Sequence, residues 1–87
     1  IPDNEMVLVL YPLLIGLDDY PFAKIHAQVA EIAVKLEIPV FDLAPTFTGL
    51  TASDLHVHHT DHHPNGGAHL MAANAVARWL KSLNGFL

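Results

Sequence analysis

Hydrophobic positions fall into three blocks with different periods. From Met6 the chain runs through Val7, Leu8, Val9, Leu10 and Tyr11 to Ile15 without alternation. An unbroken apolar run predicts a strand buried on both faces, as in a parallel sheet covered by helices. A buried helix is the rival reading, but Val7, Val9 and Pro12 favour a strand ending near Tyr11. After the loop Gly16-Leu17-Asp18-Asp19, the residues Phe22, Ile25, Val29, Ile32, Ala33 and Leu36 share one face at helical spacing. Lys24, Gln28, Glu31 and Lys35 share the other, so a helix is predicted over about residues 20–36. Asp18 or Asp19 would cap it, with Pro21 in its first turn. His26 lies at the edge of the apolar face and reads as a boundary residue without a role.

Glu37-Ile38-Pro39 breaks that helix, and Val40-Phe41-Asp42-Leu43 follows as a short strand. Strand, crossover helix and strand make a βαβ unit, expected to be parallel and right-handed. The next segment, from Ala44 through Leu55, leaves the sheet as a loop or short helical turn. Groups that do chemistry gather at the carboxyl ends of strands in open α/β sheets, which directs attention to residues 44–65. Past Asn65 the period is helical again. Ala68, Met71, Ala72, Ala75, Val76, Trp79, Leu80 and Leu83 trace one face, with Asn65 as N-cap and Asn84-Gly85 as the stop.

Composition adds one constraint to this pattern. The chain is 52% hydrophobic and 15% charged over 87 residues, apolar for a small domain whose surface is large relative to its core. Some apolar faces are therefore expected to be covered by something else, either a further part of the same domain or a partner chain. An N-terminal Ile rather than Met fits a processed or truncated product. The net charge of −5 with four Lys and Arg lacks the footprint of a nucleic-acid binder or a polybasic membrane patch. The longest apolar run, residues 6–17, is too short to span a bilayer, and it lacks the basic leader of a signal peptide. Without cysteine there are neither disulfides nor thiolate metal sites, which leaves the compartment open.

Candidate chemistry sits in His56-Val57-His58-His59-Thr60-Asp61-His62-His63-Pro64-Asn65, which holds five of the seven histidines. Three readings compete for it. In the first, Asp61 and His63 are a carboxylate and a general base, because side chains at i and i+2 of an extended segment point the same way. In the second, the imidazoles and the carboxylate are ligands for a metal such as Zn²⁺, although the spacing matches no standard ligand pattern. In the third, the stretch is a polar loop whose charge responds to pH near the ordinary imidazole value of about 6.5. Outside it, Ser53 reads as a turn residue and Ser82 as a surface residue in the last helical turn. Neither lies in a nucleophile elbow. Asp42, at a strand end, reads as a loop anchor.

Asp61-His62-His63-Pro64-Asn65, followed by Gly67-Ala68-His69 and an Ala-rich helix, resembles the final block of the SGNH (GDSL-type) esterases and lipases. That block has a D-x-x-H or D-x-H pattern continued by Pro-Asn. Val40-Phe41-Asp42-Leu43-Ala44-Pro45 and Phe47 resemble the strand and loop before it, and residues 6–36 fit the preceding βα unit. The resemblance covers nearly the whole chain, but only the last third of a family domain. It implies a three-layer α/β/α fold with a parallel sheet, of the flavodoxin-like kind, with residues 1–87 as its C-terminal part. It implies hydrolysis of a small-molecule ester through an acyl-enzyme on a Ser, with no cofactor. His63 matches the general base and Asp61 its carboxylate partner at the shorter D-x-H spacing. Thr60 stands where the longer spacing would put the Asp. The family's Gly-Asp-Ser, oxyanion-hole Gly and Gly-x-Asn-Asp blocks have no counterpart here, and Asn4 lacks the context of the last. The resemblance thus implies an N-terminal portion, on the same polypeptide or a companion chain, that supplies the nucleophile.

Overall fold

A computed structural model describes residues 6–83. The expected Asn84-Gly85 helix stop and the first five residues lie outside that range. The chain folds as a small mixed α/β domain. Its first part is the βαβ unit that the pattern predicts: β1 (Leu8–Leu10), α1 (Ala23–Lys35) and β2 (Val40–Asp42). The two strands pair in parallel, with Leu8 opposite Val40, Val9 opposite Phe41 and Leu10 opposite Asp42. A short helix α2 (Ala44–Phe47) and a 3-10 turn (Ala52–Leu55) then lead to an antiparallel hairpin, β3 (His56–His58) and β4 (Asp61–Pro64). The long helix α3 (Gly66–Ser82) closes the described chain. Among the described residues, no helix is long and apolar enough to cross a membrane.

The core lies where α2, α3 and the residues after β1 converge. Phe47 is fully buried and Leu43 nearly so, surrounded by Leu14, Leu17, Leu55 and the alanine face of α3, Ala68, Ala72 and Ala75. Small side chains on that face bring the α3 backbone close to the core, and the larger Trp79 stacks on Phe41 with ring centroids 5.2 Å apart. This is the face that the helical period assigns to α3.

Helix α1 departs from the pattern in two ways. Its start is not capped by an aspartate: Asp18 and Asp19 sit in a separate 3-10 turn (Leu17–Asp19), Tyr20 is extended, and Phe22 holds the N-cap position without a side-chain hydrogen bond. Its apolar stripe is also buried only in part. Ile25, Ile32 and Leu36 are more than half exposed, whereas Ala33 is buried and His26, Val29 and Ala30 are half-buried. A sheet with two paired strands covers only a narrow strip of a helix, and small residues fit that strip more closely than the wide isoleucine stripe. The far end matches expectation. Glu37 takes a left-handed conformation (φ 59°), while its N–H reaches Val34 O and the N–H of Ile38 reaches Ala33 O, a Schellman stop before Pro39.

Asn65 joins the hairpin to α3. Its side-chain oxygen accepts from Ala68 N–H at 2.9 Å, which is the predicted N-cap. Its amide also donates to Asp54 O at 2.8 Å and His56 O at 3.3 Å, and its own N–H donates to Leu55 O at 2.7 Å. Asn65→Ala should therefore cost about 2 kcal/mol, from the lost cap together with two carbonyls left without a donor. Asn65→Asp should recover only the cap. Thermal unfolding of the three proteins checks the order.

Candidate functional site

The histidine-rich stretch is not a loop but the β3–β4 hairpin, turned at His59 and Thr60, with a bulge between His56 and His58. The alternating period of a strand is masked in the sequence because nearly every position carries the same residue type. In the extended β4 backbone, residues 61 and 63 fall on one side. His63 Nδ1–H donates to Asp61 Oδ1 at 2.5 Å, and the backbone N–H of His63 reaches the same oxygen at 3.1 Å. These bonds place the proton on Nδ1 and leave Nε2 without a partner among the described residues. Both side chains are open to solvent, His63 at 85% and Asp61 at 47% relative exposure.

The His63 side-chain hydrogen bond, and then its backbone N–H, hold the Asp61 carboxyl below its ordinary range. A carboxyl with a depressed folded-state value contributes stability above its ordinary value and loses it as pH falls through the depressed one. The pair therefore stays joined through neutral and mildly acidic pH. Carbon-detected NMR titration should place the Asp61 midpoint below that of an unstructured Asp, and His63→Ala should return it toward that reference.

The pair lines a groove of about 700 Å³. Residues 60–64 form one side and Tyr11, Pro12, Leu13 and Leu14, just past the carboxyl end of β1, form the other. The candidate pair thus lies within residues 44–65, as expected from the strand-end position, and it faces the segment just past the carboxyl end of β1. Burial pushes the Tyr11 phenol up, so it stays neutral through the physiological range.

The remaining histidines have structural partners. His56 Nε2–H donates to Leu14 O at 2.6 Å, tying the hairpin to the opposite wall of the groove. His62 stacks on His56 at 4.4 Å between centroids, and His58 lies 4.0 Å from His59. His58 Nδ1 accepts from Thr60 N–H at 3.2 Å. Among the described residues no three of His, Cys, Asp or Glu converge as a metal ion requires. Ser53 lies exposed in the 3-10 turn, and the Ser82 hydroxyl donates to Trp79 O. Neither lines the groove.

A second carboxylate–imidazole pair is invisible in the sequence, because its members are 16 residues apart. His26 Nδ1–H donates to Asp42 Oδ1 at 2.9 Å, and that oxygen also accepts from Ala44 N–H at 2.9 Å. The Tyr20 hydroxyl stands 3.2 Å from His26 Nε2 and accepts from Leu13 N–H at 2.9 Å. His26 is thus far from idle, but both of its ring nitrogens are engaged, which leaves none to take a proton from a substrate or nucleophile. Asp42 anchors the start of α2 and, through His26 and Tyr20, the groove wall at Leu13.

No protein-family model matches the chain, and no curated protein or solved structure matches it either.

Proposed function

We propose that this chain carries the acid–base half of a serine ester hydrolase site of the SGNH type, with His63 as general base and Asp61 as its orienting carboxylate. The observation that carries the reading is the Asp61–His63 hydrogen bond through Nδ1, with Nε2 left unshared beside a groove. A serine hydroxyl brought to Nε2 would lose its proton to the imidazole as it attacks an ester carbonyl. Asp61 would hold the ring in the Nδ1–H tautomer and stabilise the imidazolium formed. His63 would then return the proton to the leaving alcohol, and in the second half-reaction activate the water that releases the acid.

The nucleophile and the oxyanion donors are assigned to a portion outside these 87 residues. Ser53 and Ser82 stand away from the groove, and the domain exposes apolar surface that such a portion would cover, including Ile25, Ile32 and Val34 on α1 and Leu36 at its C-cap. The same portion would extend the two-stranded sheet into the three-layer α/β/α fold. Phe41 meets Trp79 on α3 while its neighbour Asp42 meets His26 on α1. Consecutive strand residues point to opposite faces, so these contacts, to α3 on one side of β2 and to α1 on the other, support the three-layer reading.

Labelling with a fluorophosphonate tests the assignment. The 87-residue chain alone should not label. A complete domain should label at a serine outside residues 1–87, and only while His63 is present. Modification of Ser53 or Ser82, or labelling that survives His63→Ala, overturns it. A metal-binding hairpin is the weaker reading, since the described side chains form no three-ligand cluster.

A further inference from the structure

The groove beside His63 has a composition and a construction that bear on what enters it. Its far side is largely apolar: Pro12 and Leu14 are buried, while Tyr11 and Leu13 are exposed. The polar side chains are Thr60, Asp61, His62 and His63 on the hairpin side and the Tyr11 hydroxyl on the other. Among the described lining residues, Asp61 is the one carboxylate, it is already joined to His63, and there is no Lys or Arg. The described lining thus offers an anionic head group no permanent positive charge. At about 700 Å³ the space is within the range of small-molecule sites.

The apolar wall is also fixed in place at two successive residues. Leu13 N–H donates to the Tyr20 hydroxyl, which is backed by His26 and Asp42, and Leu14 O accepts from His56 Nε2–H. One tether comes from the βαβ unit and the other from the hairpin, so the two sides of the groove are braced against each other. A preformed apolar site loses less on ordering when it binds than a loose loop does.

We propose that this groove is a preformed site for a neutral, extended apolar chain, with Leu13 and Tyr11 selecting for length. In the hydrolase reading, on which this identification of the occupant rests, the chain is the acyl group of the ester and its carbonyl lies at the His63 end. Tyr20, His26 and His56 are positioning residues for the wall.

Methyl ketones of four to twelve carbons test this on the 87-residue chain, because they are neutral ester isosteres that need no turnover to be seen. Titrations followed by amide NMR shifts should place them at Tyr11, Leu13, Leu14 and residues 60–63. Affinity should rise about two- to four-fold per methylene until the chain outgrows the groove. Leu13→Asp should abolish the dependence on length. Tyr20→Phe should weaken binding and speed hydrogen exchange at the Leu13 amide, while leaving the far end of α3 unchanged. Affinity that is independent of length, or shifts confined to the exposed face of α1 around Ile25 and Ile32, overturns the proposal. The hydrolase reading fails separately. If the ketones bind as expected but ester turnover by the complete domain survives His63→Ala, the groove stands and the reaction assignment falls. If turnover is lost but the ketones show no dependence on length, the reverse holds.

Discussion

His63→Ala in the complete domain proposed above is expected to lower kcat/KM for an ester by at least about 10³-fold, with the fold intact. Two magnitudes lead there. A positioned general base contributes about 10²–10⁴ to an acyl transfer, and in a triad the loss of one member disables the others. The side chain is 85% exposed, so its removal opens no cavity and should move the melting temperature little. A loss of activity with an unchanged thermal transition therefore separates a chemical role from a structural one. Asp61→Asn should cost less, on the order of 10²-fold, because it disturbs the tautomer without removing the base. Asp61 is also half open to water, where its electrostatic effect is screened. Turnover within a fewfold of the parent in His63→Ala would sink the assignment.

The second imidazole–carboxylate pair supplies a contrast. His26→Ala should not act as His63→Ala does, because His26 Nε2 faces Tyr20 and Nδ1 faces Asp42. Its removal loosens the Leu13 wall, so the expected effect is on KM more than on kcat. The two pairs look alike by residue type, and only the engagement of the second ring nitrogen tells them apart.

That difference marks the boundary of what sequence patterns carry. The βαβ unit was legible because an unbroken apolar run, a helical period and a second short run are each local signals, and Pro12, Pro39 and the glycines punctuate them. The Asn65 cap was legible for the same reason, as a short polar residue before an apolar 3.6-residue period. The Asp61–His63 pair depends on i,i+2 geometry, which any extended backbone provides. The hairpin was hidden by its own repetition, since a period of two cannot be seen where five of eight positions are histidine. The exposed stripe on α1 is a different kind of miss. Its amphipathic period is present, but which face is covered depends on how many strands lie beneath it. The His26–Asp42 link joins a helix to a strand end across the crossover, and no spacing rule reaches that far.

Phe47→Ala should have the largest effect on stability. Phe47 is fully buried, it lies 5.7 Å from Tyr11 between ring centroids, and it sits among Leu14, Leu17, Leu43, Leu55 and the alanines of α3. Truncating a buried Phe costs about 3–5 kcal/mol, including the cavity left behind. A domain of this length has on the order of 4–13 kcal/mol in total, so the variant would lose a large share of its stability and melt on the order of 20 °C lower. The cavity cannot close readily, because the residues facing it on α3 are alanines that have no longer side chain to swing inward. Phe47→Leu, which keeps most of the volume, should cost roughly a third as much. Ile32→Ala removes a comparable aliphatic group from the exposed face of α1 and should change the melting temperature of the 87-residue chain by no more than a degree or two. If Ile32→Ala is as damaging as Phe47→Ala in that chain, α1 buries its isoleucine stripe after all. If the damage appears only in the proposed complete domain, the stripe is the surface that its N-terminal portion covers.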